Sequence, residues 1–297
     1  MSIDQSRPHR SALYLPASNA RAIEKARQLP ADVIIFDLED AVAPGMKEQA
    51  RENLLKAFSD GGFGRRRLVI RVNHVDTPFF ERDSEVAAAC GPDAILVPKV
   101  SSGKNMADFA GRLAACGFAR QPALWAMIET AEALTKLPEI ATAGATTAPR
   151  LECLIVGTND IARETGVSMG YGRAYFIPWL MNIVLTAKVH GLTVLDGVWN
   201  DFRDTSGYQT EAKQSQLMGF DGKTLIHPSQ IDFANEVFAP SATEVDEARS
   251  IVEAFARPEN VGAGVINLDG KMVELLHLEM AQRTLRLHEA IRANAAA

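Results

Sequence analysis

Cysteine is scarce in this sequence, and the positions of its cysteines argue against two features that cysteines commonly provide. The three cysteines, Cys90, Cys116 and Cys153, are scattered, their number is odd, and no C-x-x-C motif is present. This pattern argues against a set of structural disulfides and against a site for a soft metal ion. Histidine is scarce as well, with six residues, and the shortage of both argues against zinc.

Excess positive charge and long apolar segments are also missing. The formal net charge is −6, so no basic surface is implied and nucleic acid is not an expected partner. The first residues, Met1-Ser2-Ile3-Asp4-Gln5, are polar, and no apolar run approaches the roughly 18–20 residues that a membrane span requires. We expect a cytoplasmic protein that does not insert into membranes.

Short apolar runs alternate with helix-patterned segments along most of the chain. Such runs indicate parallel strands buried on both faces, and eight strand–helix units favour a closed (β/α)₈ barrel. A Rossmann-type open sheet is the alternative, but the G-x-G-x-x-G that it requires after an early strand is absent. The eight runs are Ala12–Leu15, Val33–Phe36, Leu68–Ile70, Ala94–Val97, Ala123–Met127, Leu151–Val156, Thr193–Leu195 and Thr224–Ile226.

The barrel is predicted to occupy residues 1–235, and residues 236–297 are predicted to form a helical arm or lid. Helices are expected over Glu244–Ala256 and from Lys271 onward, with a glycine-rich loop between them. The second of these has apolar residues at helical spacing, among them Met272, Leu276 and Met280, which need to be covered. Earlier in the chain, the alanine–threonine stretch Ala141–Ala148 is interpreted as a loop.

Charged residues follow several of the predicted strands, at the barrel end where active sites form. Carboxylates converging at one rim repel one another unless a cation lies among them, and hard oxygen ligands suit Mg²⁺ or Mn²⁺. Glu129 and Asp160 end adjacent strands and are the best pair of ligands, while Arg71 is placed to hold a substrate carboxylate or an enolate oxygen. The rim residues are Asp37, Glu39, Asp40, Arg71, Asn73, Lys99, Glu129, Asp160 and Asp196.

Several motifs, in the same order along nearly the whole chain, resemble the citrate lyase β-subunit and malyl-CoA lyase family of the HpcH/HpaI aldolase superfamily. They include Arg10–Pro16, the Asp37-Leu38-Glu39-Asp40-Ala41-Val42 segment, Arg71-Val72-Asn73, Val97-Pro98-Lys99, Ile128-Glu129-Thr130-Ala131, Gly157-Thr158-Asn159-Asp160, Gly219–Lys223 and Ile226–Gln230. The resemblance is specific for the family and less so for the substrate.

The resemblance implies roles for the rim residues. It implies that Glu129 and Asp160 bind Mg²⁺ and that Arg71 polarises the carbonyl and enolate oxygens. It further implies that the acid-rich wall is shaped by Asp37, Glu39 and Asp40 with support from Lys99, and that the backbone of Gly157, Thr158 and Asn159 holds the carboxylate of a 2-oxo acid.

Two further assignments depend on the resemblance alone. Coenzyme A is the implied carrier of the substrate, and Arg21 and Lys25 on the first helix are candidates for its nucleotide end, although a solvated helix face explains them equally well. The family's C-terminal motif ends in an aspartate that enters the neighbouring subunit's pocket. Here Glu274 occupies that position, which implies a catalytic carboxylate on a longer side chain.

The resulting hypothesis is a Mg²⁺-dependent carbon–carbon lyase that cleaves a citramalyl-, malyl- or citryl-type CoA thioester into an acyl-CoA and a 2-oxo acid. One alternative is an aldolase acting on free hydroxy-oxo acids. Another is a carrier-dependent β subunit that works only within a citrate lyase complex. The resemblance also implies a homotrimer or a hexamer, in which the C-terminal arm caps the neighbour's pocket.

Overall fold

The computed structural model describes residues 7–295, with the side chain of residue 295 left aside. The described chain divides into two compact units, one of His9–Asn235 and one formed mainly by the residues from Glu236 onward. Within the described residues, no helix is both long enough and apolar enough to cross a membrane.

The larger unit is a closed barrel of eight parallel strands, as the sequence predicts. Each strand pairs with the next in chain order, and β1 also pairs with β8 to close the ring. The strands are β1 Ser11–Pro16, β2 Val33–Asp37, β3 Arg67–Arg71, β4 Ala94–Val97, β5 Ala123–Ile128, β6 Leu151–Val156, β7 Thr193–Asp196 and β8 Gly222–Leu225.

Helices cover the outside of the barrel between successive strands. The stretch Ala141–Ala148, predicted to be a loop, instead lies largely within a helix, because its alanines favour helix and Ile140 and Ala141 are buried. The helices are α1 Ala20–Ala26, α2 Lys47–Asp60, α3 Phe80–Cys90, α4 Gly103–Ala114, α5 Ala131–Thr135, α6 Leu137–Thr146, α7 Thr158–Thr165, α8 Gly170–Arg173, α9 Ile177–Val189, α10 Thr205–Met218 and α11 Ile231–Val237.

Apolar side chains fill the barrel interior. Ile35, Val69, Leu96 and Trp125 belong to one buried cluster contributed by successive strands, with Tyr14 packed against it. Above this cluster the interior positions become polar. The pairing of β2 with β3 places Asp37 directly beside Arg71, so strand register already joins two residues of the predicted rim.

The second unit combines two helices with a β-hairpin. Its elements are α12 Ala242–Phe255, β9 Val265–Leu268, β10 Lys271–Glu274 and α13 Leu275–Ala295. The prediction of a helix from Lys271 onward is therefore wrong at its start, because residues 271–274 pair with β9 as a strand. That pairing buries Val273 and Ile266 in a small core with Ala254 and Phe255.

Candidate active site at the carboxyl end of the barrel

The loop after β2 is held in one conformation by its own carboxylate and by a buried lysine. Asp37 accepts backbone N–H groups from Glu39 at 2.7 Å and from Ala41 at 3.0 Å. The ammonium of Lys47 donates to the carbonyl oxygens of Leu38 at 2.6 Å and Glu39 at 2.8 Å. The loop backbone is thus fixed through its N–H groups by Asp37 and through its carbonyl groups by Lys47.

Arg71, the last residue of β3, is buried and paired with two carboxylates. Its Nε and Nη2 donate to the two oxygens of Asp37 at 2.7 and 2.5 Å, and its Nη1 lies 3.0 Å from Glu39 Oε2. Burial lowers the pKa of Arg71, but the negative charge of Asp37 and its hydrogen bonds outweigh that effect and raise the pKa. The guanidinium is therefore a fixed positive charge, with its planar fork already oriented.

Lys99 links the acidic loop to the next strands through a strained backbone. Its φ of 53° lies in the left-handed region, which costs a non-glycine residue about 1–3 kcal/mol. In this conformation its N–H donates to Glu129 Oε1 at 2.7 Å, while its ammonium pairs with Glu39 and lies 3.8 Å from Asp40. The predicted supporting role of Lys99 thus has a geometric basis, whereas Asp40 stays largely exposed at the edge.

Glu129 is a buried carboxylate in a negative environment. Burial, followed by the charges of Glu39 and Asp160, raises its pKa to about 7. Within residues 7–295 it forms no ion pair with Lys or Arg, and Asp160 pairs only with the exposed Arg163, at 2.6 Å. These two carboxylates can serve a metal ion that keeps several waters. The described residues contain no cluster of three or more His, Cys, Asp or Glu side chains able to hold one.

The N-terminus of α7 lies against Glu129, at the same end of the barrel. The first N–H groups of any α-helix lack intrahelical partners, and here the N-cap residue, Gly157, supplies no side-chain hydrogen bond to them. Thr158 is buried, and its Oγ1 has no hydrogen-bond partner among the described residues. Asn159 instead exchanges side-chain hydrogen bonds with Asn200, at 3.2 and 2.7 Å. The backbone here suits an anion, while the Asn159 side chain is turned to a neighbouring loop.

Not every predicted site residue is brought to this cluster. Arg21 and Lys25 lie exposed on α1, with no hydrogen bond or ion pair to the cluster among the described side chains. Glu274 belongs to the second unit, where its N–H donates to His277 Nδ1 at 3.0 Å. Sequence reasoning also assigned no role to Lys47, which anchors the acidic loop, or to Tyr14, whose ring lies 4.9 Å from the Arg71 guanidinium.

Comparisons with known proteins support the barrel fold and identify related chains. A family model described as HpcH/HpaI aldolase/citrate lyase matches residues 10–228. A (3S)-malyl-CoA thioesterase of Cereibacter sphaeroides is 44% identical, over 97% of this chain and 98% of the relative. An L-malyl-CoA/β-methylmalyl-CoA lyase of the same species is 33% identical, over 97% of both chains. Among solved structures, the protein CitE from Mycobacterium tuberculosis, in complex with magnesium, acetoacetate and coenzyme A, has a TM-score of 0.74 and 28% identity, covering 95% of this chain and 98% of that one.

Proposed function

Because the chain belongs to the HpcH/HpaI aldolase/citrate lyase family, we propose that it is a Mg²⁺-dependent carbon–carbon lyase that cleaves a 3-hydroxyacyl-CoA into an acyl-CoA and a 2-oxo acid. The coarser assignment, an enzyme acting on CoA esters of the citrate lyase β-subunit and malyl-CoA lyase type, follows from the family and its relatives. The observation that carries the finer proposal is the combination of the oriented, buried Arg71 with the buried carboxylate of Glu129, which forms no ion pair among the described residues.

The donor set fits a hard divalent cation. A buried carboxylate without an ion-pair partner is costly, and Glu129 avoids that cost either by taking up a proton or by binding a cation. We assign Glu129 and Asp160 as the protein ligands, with water and substrate completing the shell as Mg²⁺ prefers. When bound, the ion supplies a Lewis acid that polarises a substrate carbonyl oxygen. Mn²⁺ takes the same oxygen ligands and is the natural alternative.

The remaining groups orient the substrate and receive charge. Arg71 stabilises the negative charge that develops on an oxygen when the carbon–carbon bond breaks. The free N–H groups at the start of α7 bind the carboxylate of the 2-oxo acid half, because a helix N-terminus favours an anion. Asp37 and Glu39 hold Arg71 in place, and Lys99 fixes both Glu39 and Glu129.

Thioester hydrolysis is the second candidate activity. The relatives named as malyl-CoA thioesterases share 44% identity with this chain, whereas the malyl-CoA lyases share 33%. A hydrolase leaves the carbon–carbon bond intact and transfers the acyl group to water, so its products are free coenzyme A and a hydroxy acid. The two activities are therefore separable by product.

One assay separates the candidates. The purified protein with Mg²⁺ is incubated with malyl-, citramalyl- and citryl-CoA, and both the 2-oxo acid and the free thiol are measured over time. Release of 2-oxo acid with little free thiol supports the lyase, and free thiol without the oxo acid supports the hydrolase. Cleavage of free hydroxy-oxo acids alone would favour the aldolase, and activity only with an added acyl-carrier protein would favour a carrier-dependent subunit.

We further propose that the second unit completes the site of a neighbouring copy in a homotrimer or hexamer. Its outer surface exposes large apolar side chains, and Glu274 lies at the end of β10 beside them. An exposed apolar surface of this kind marks an interface. The exposed apolar residues are Val261, Val265, Met272, Leu275, Leu276 and Met280.

A further inference from the structure

Tyr14 lies on the interior face of β1, between the buried interior cluster and Arg71. Its side chain packs against the buried interior cluster but remains partly exposed. The Arg71 guanidinium lies over its ring at 4.9 Å. The Tyr14 ring thus packs against the Arg71 guanidinium, and the Tyr14 hydroxyl extends across the barrel toward Met127 on β5.

The Tyr14 hydroxyl and Arg71 Nη1 both approach the same weak hydrogen-bond acceptor, the sulfur of Met127. The Tyr14 hydroxyl lies 3.8 Å from Met127 Sδ, and Arg71 Nη1 lies 3.5 Å from the same sulfur. A thioether is a weak acceptor, whereas a tyrosine hydroxyl away from water ordinarily finds a strong one. Among the described residues, the sulfur is the hydroxyl's hydrogen-bond partner, so its capacity to donate is largely unused.

We propose that the Tyr14 hydroxyl and Arg71 Nη1 form a two-donor oxyanion site, in which a substrate oxygen replaces the Met127 sulfur as the common acceptor. The inference rests on the proposed function, because that reaction generates an oxyanion. Donors aimed in advance at the place where charge develops are among the strongest contributors to catalysis. Tyr14 is then a catalytic residue, in direct contact with the reacting atoms.

The chemistry of the cleavage identifies the substrate oxygen that binds to Tyr14 and Arg71. In cleavage of a 3-hydroxyacyl thioester, the C3 hydroxyl proton passes to a base and the C2–C3 bond breaks. C3 becomes the carbonyl carbon of the 2-oxo acid, and the electron pair of the broken bond moves onto the thioester carbonyl to give an enolate oxygen. Protonation at C2 then yields the acyl-CoA, so no proton is gained or lost. The enolate oxygen is the atom that Tyr14 and Arg71 receive.

The surroundings keep Tyr14 a donor rather than a base. Burial raises the pKa of its phenol, and the negative charges of Asp37 and Glu129 add to that effect against the opposing influence of Arg71. The hydroxyl therefore stays protonated at neutral pH and binds the oxyanion through a hydrogen bond. A phenylalanine at this position would keep the ring beneath Arg71 and lose only the donor.

Tyr14→Phe tests the proposal, with Tyr208→Phe as the matched control. Tyr208 is buried, and its hydroxyl donates to the Gln230 carbonyl at 2.7 Å and has a structural role. For Tyr14→Phe we expect kcat to fall about 10- to 100-fold, at or below the roughly 100- to 1,000-fold loss that removal of one oxyanion donor causes, with KM and Tm nearly unchanged. For Tyr208→Phe we expect a lower Tm and a turnover close to that of the unaltered protein.

A second variant tests the role of the sulfur. Met127→Leu nearly keeps the apolar volume and removes the sulfur, a kind of change that proteins tolerate well, and we expect this variant to retain turnover within about twofold. A loss in Met127→Leu equal to that in Tyr14→Phe would overturn the proposal, because the contact with sulfur would then be what matters. Unchanged kcat in Tyr14→Phe would overturn it as well.

These outcomes are distinguishable from failure of the proposed function. If the unaltered protein hydrolyses the thioester instead of cleaving the carbon–carbon bond, the lyase assignment fails. The same variants are then compared by release of free coenzyme A, because the tetrahedral intermediate of hydrolysis carries its charge on the same carbonyl oxygen. Absence of both activities from the unaltered protein would overturn the function and the inference together.

Discussion

Gly157 provides the sharpest test of how the pocket is built. Its φ of −101° is negative, so an alanine there avoids the penalty that a side chain meets in the left-handed region. However, an added Cβ would lie 2.6 Å from Glu129 Oε2 and closer still to the Glu129 Cβ. We predict that Gly157→Ala displaces the Glu129 carboxylate and disables the site while the barrel stays folded.

The expected magnitude follows from this overlap. Non-bonded heavy atoms are comfortable at about 3.5–4.0 Å, so the alanine must push Glu129 by about 1 Å. Overpacking of this kind costs about 1–3 kcal/mol, which lowers Tm by about 2–12 °C in a domain of this size. A misplacement of about 1 Å at a catalytic group costs on the order of 100-fold in rate. Activity should therefore fall much further than stability.

The assay measures turnover, Mg²⁺ affinity by isothermal titration, and Tm for Gly157→Ala and a control. Gly144→Ala is the control, because its added Cβ would meet the Leu151 Cβ at 2.5 Å on the outside of β6, away from the acidic cluster. We expect the control to lose stability and to keep both turnover and Mg²⁺ affinity. Unchanged Mg²⁺ affinity and turnover in Gly157→Ala would refute the reasoning.

Three further predictions concern the same site, and a fourth concerns the second unit. Asp160→Ala should abolish Mg²⁺ binding, because one carboxylate cannot hold an ion that keeps most of its waters; unchanged affinity by isothermal titration would exclude this ligand. Arg71→Lys keeps the charge but loses the planar fork, so turnover should fall on the order of 100-fold, and near-normal turnover would make the arginine structural. The pKa of Glu129 is raised to about 7, so its carboxylate is protonated below that pH. Mg²⁺ affinity should therefore weaken about tenfold per pH unit below 7 and level off above 7. An affinity that does not change with pH would contradict the assignment. Truncation before Val261 should dissociate the oligomer and reduce activity, whereas a truncated protein that stays oligomeric by light scattering and fully active would rule out a shared arm.

The alternation of apolar strands and helices was enough to predict the closed barrel, because each element is specified by residues adjacent in sequence. Barrel geometry then brings the ends of all strands to one rim, so Arg71, Glu129 and Asp160 could be grouped before any distance was known. The local sequence indicated the wrong secondary structure where side-chain packing or strand pairing determines it. The alanine-rich segment after Leu137 forms a helix, and Lys271 begins a strand because β9 is available to pair with it.

Only the tertiary structure decided how the rim residues meet. The left-handed backbone of Lys99, in which its N–H donates to Glu129, has no local sequence signal. The convergence of Tyr14 and Arg71 on the Met127 sulfur likewise depends on three strands closing into one ring. Such contacts join residues distant in sequence, and they depend on strand register and side-chain rotamer, which a single sequence read locally does not specify.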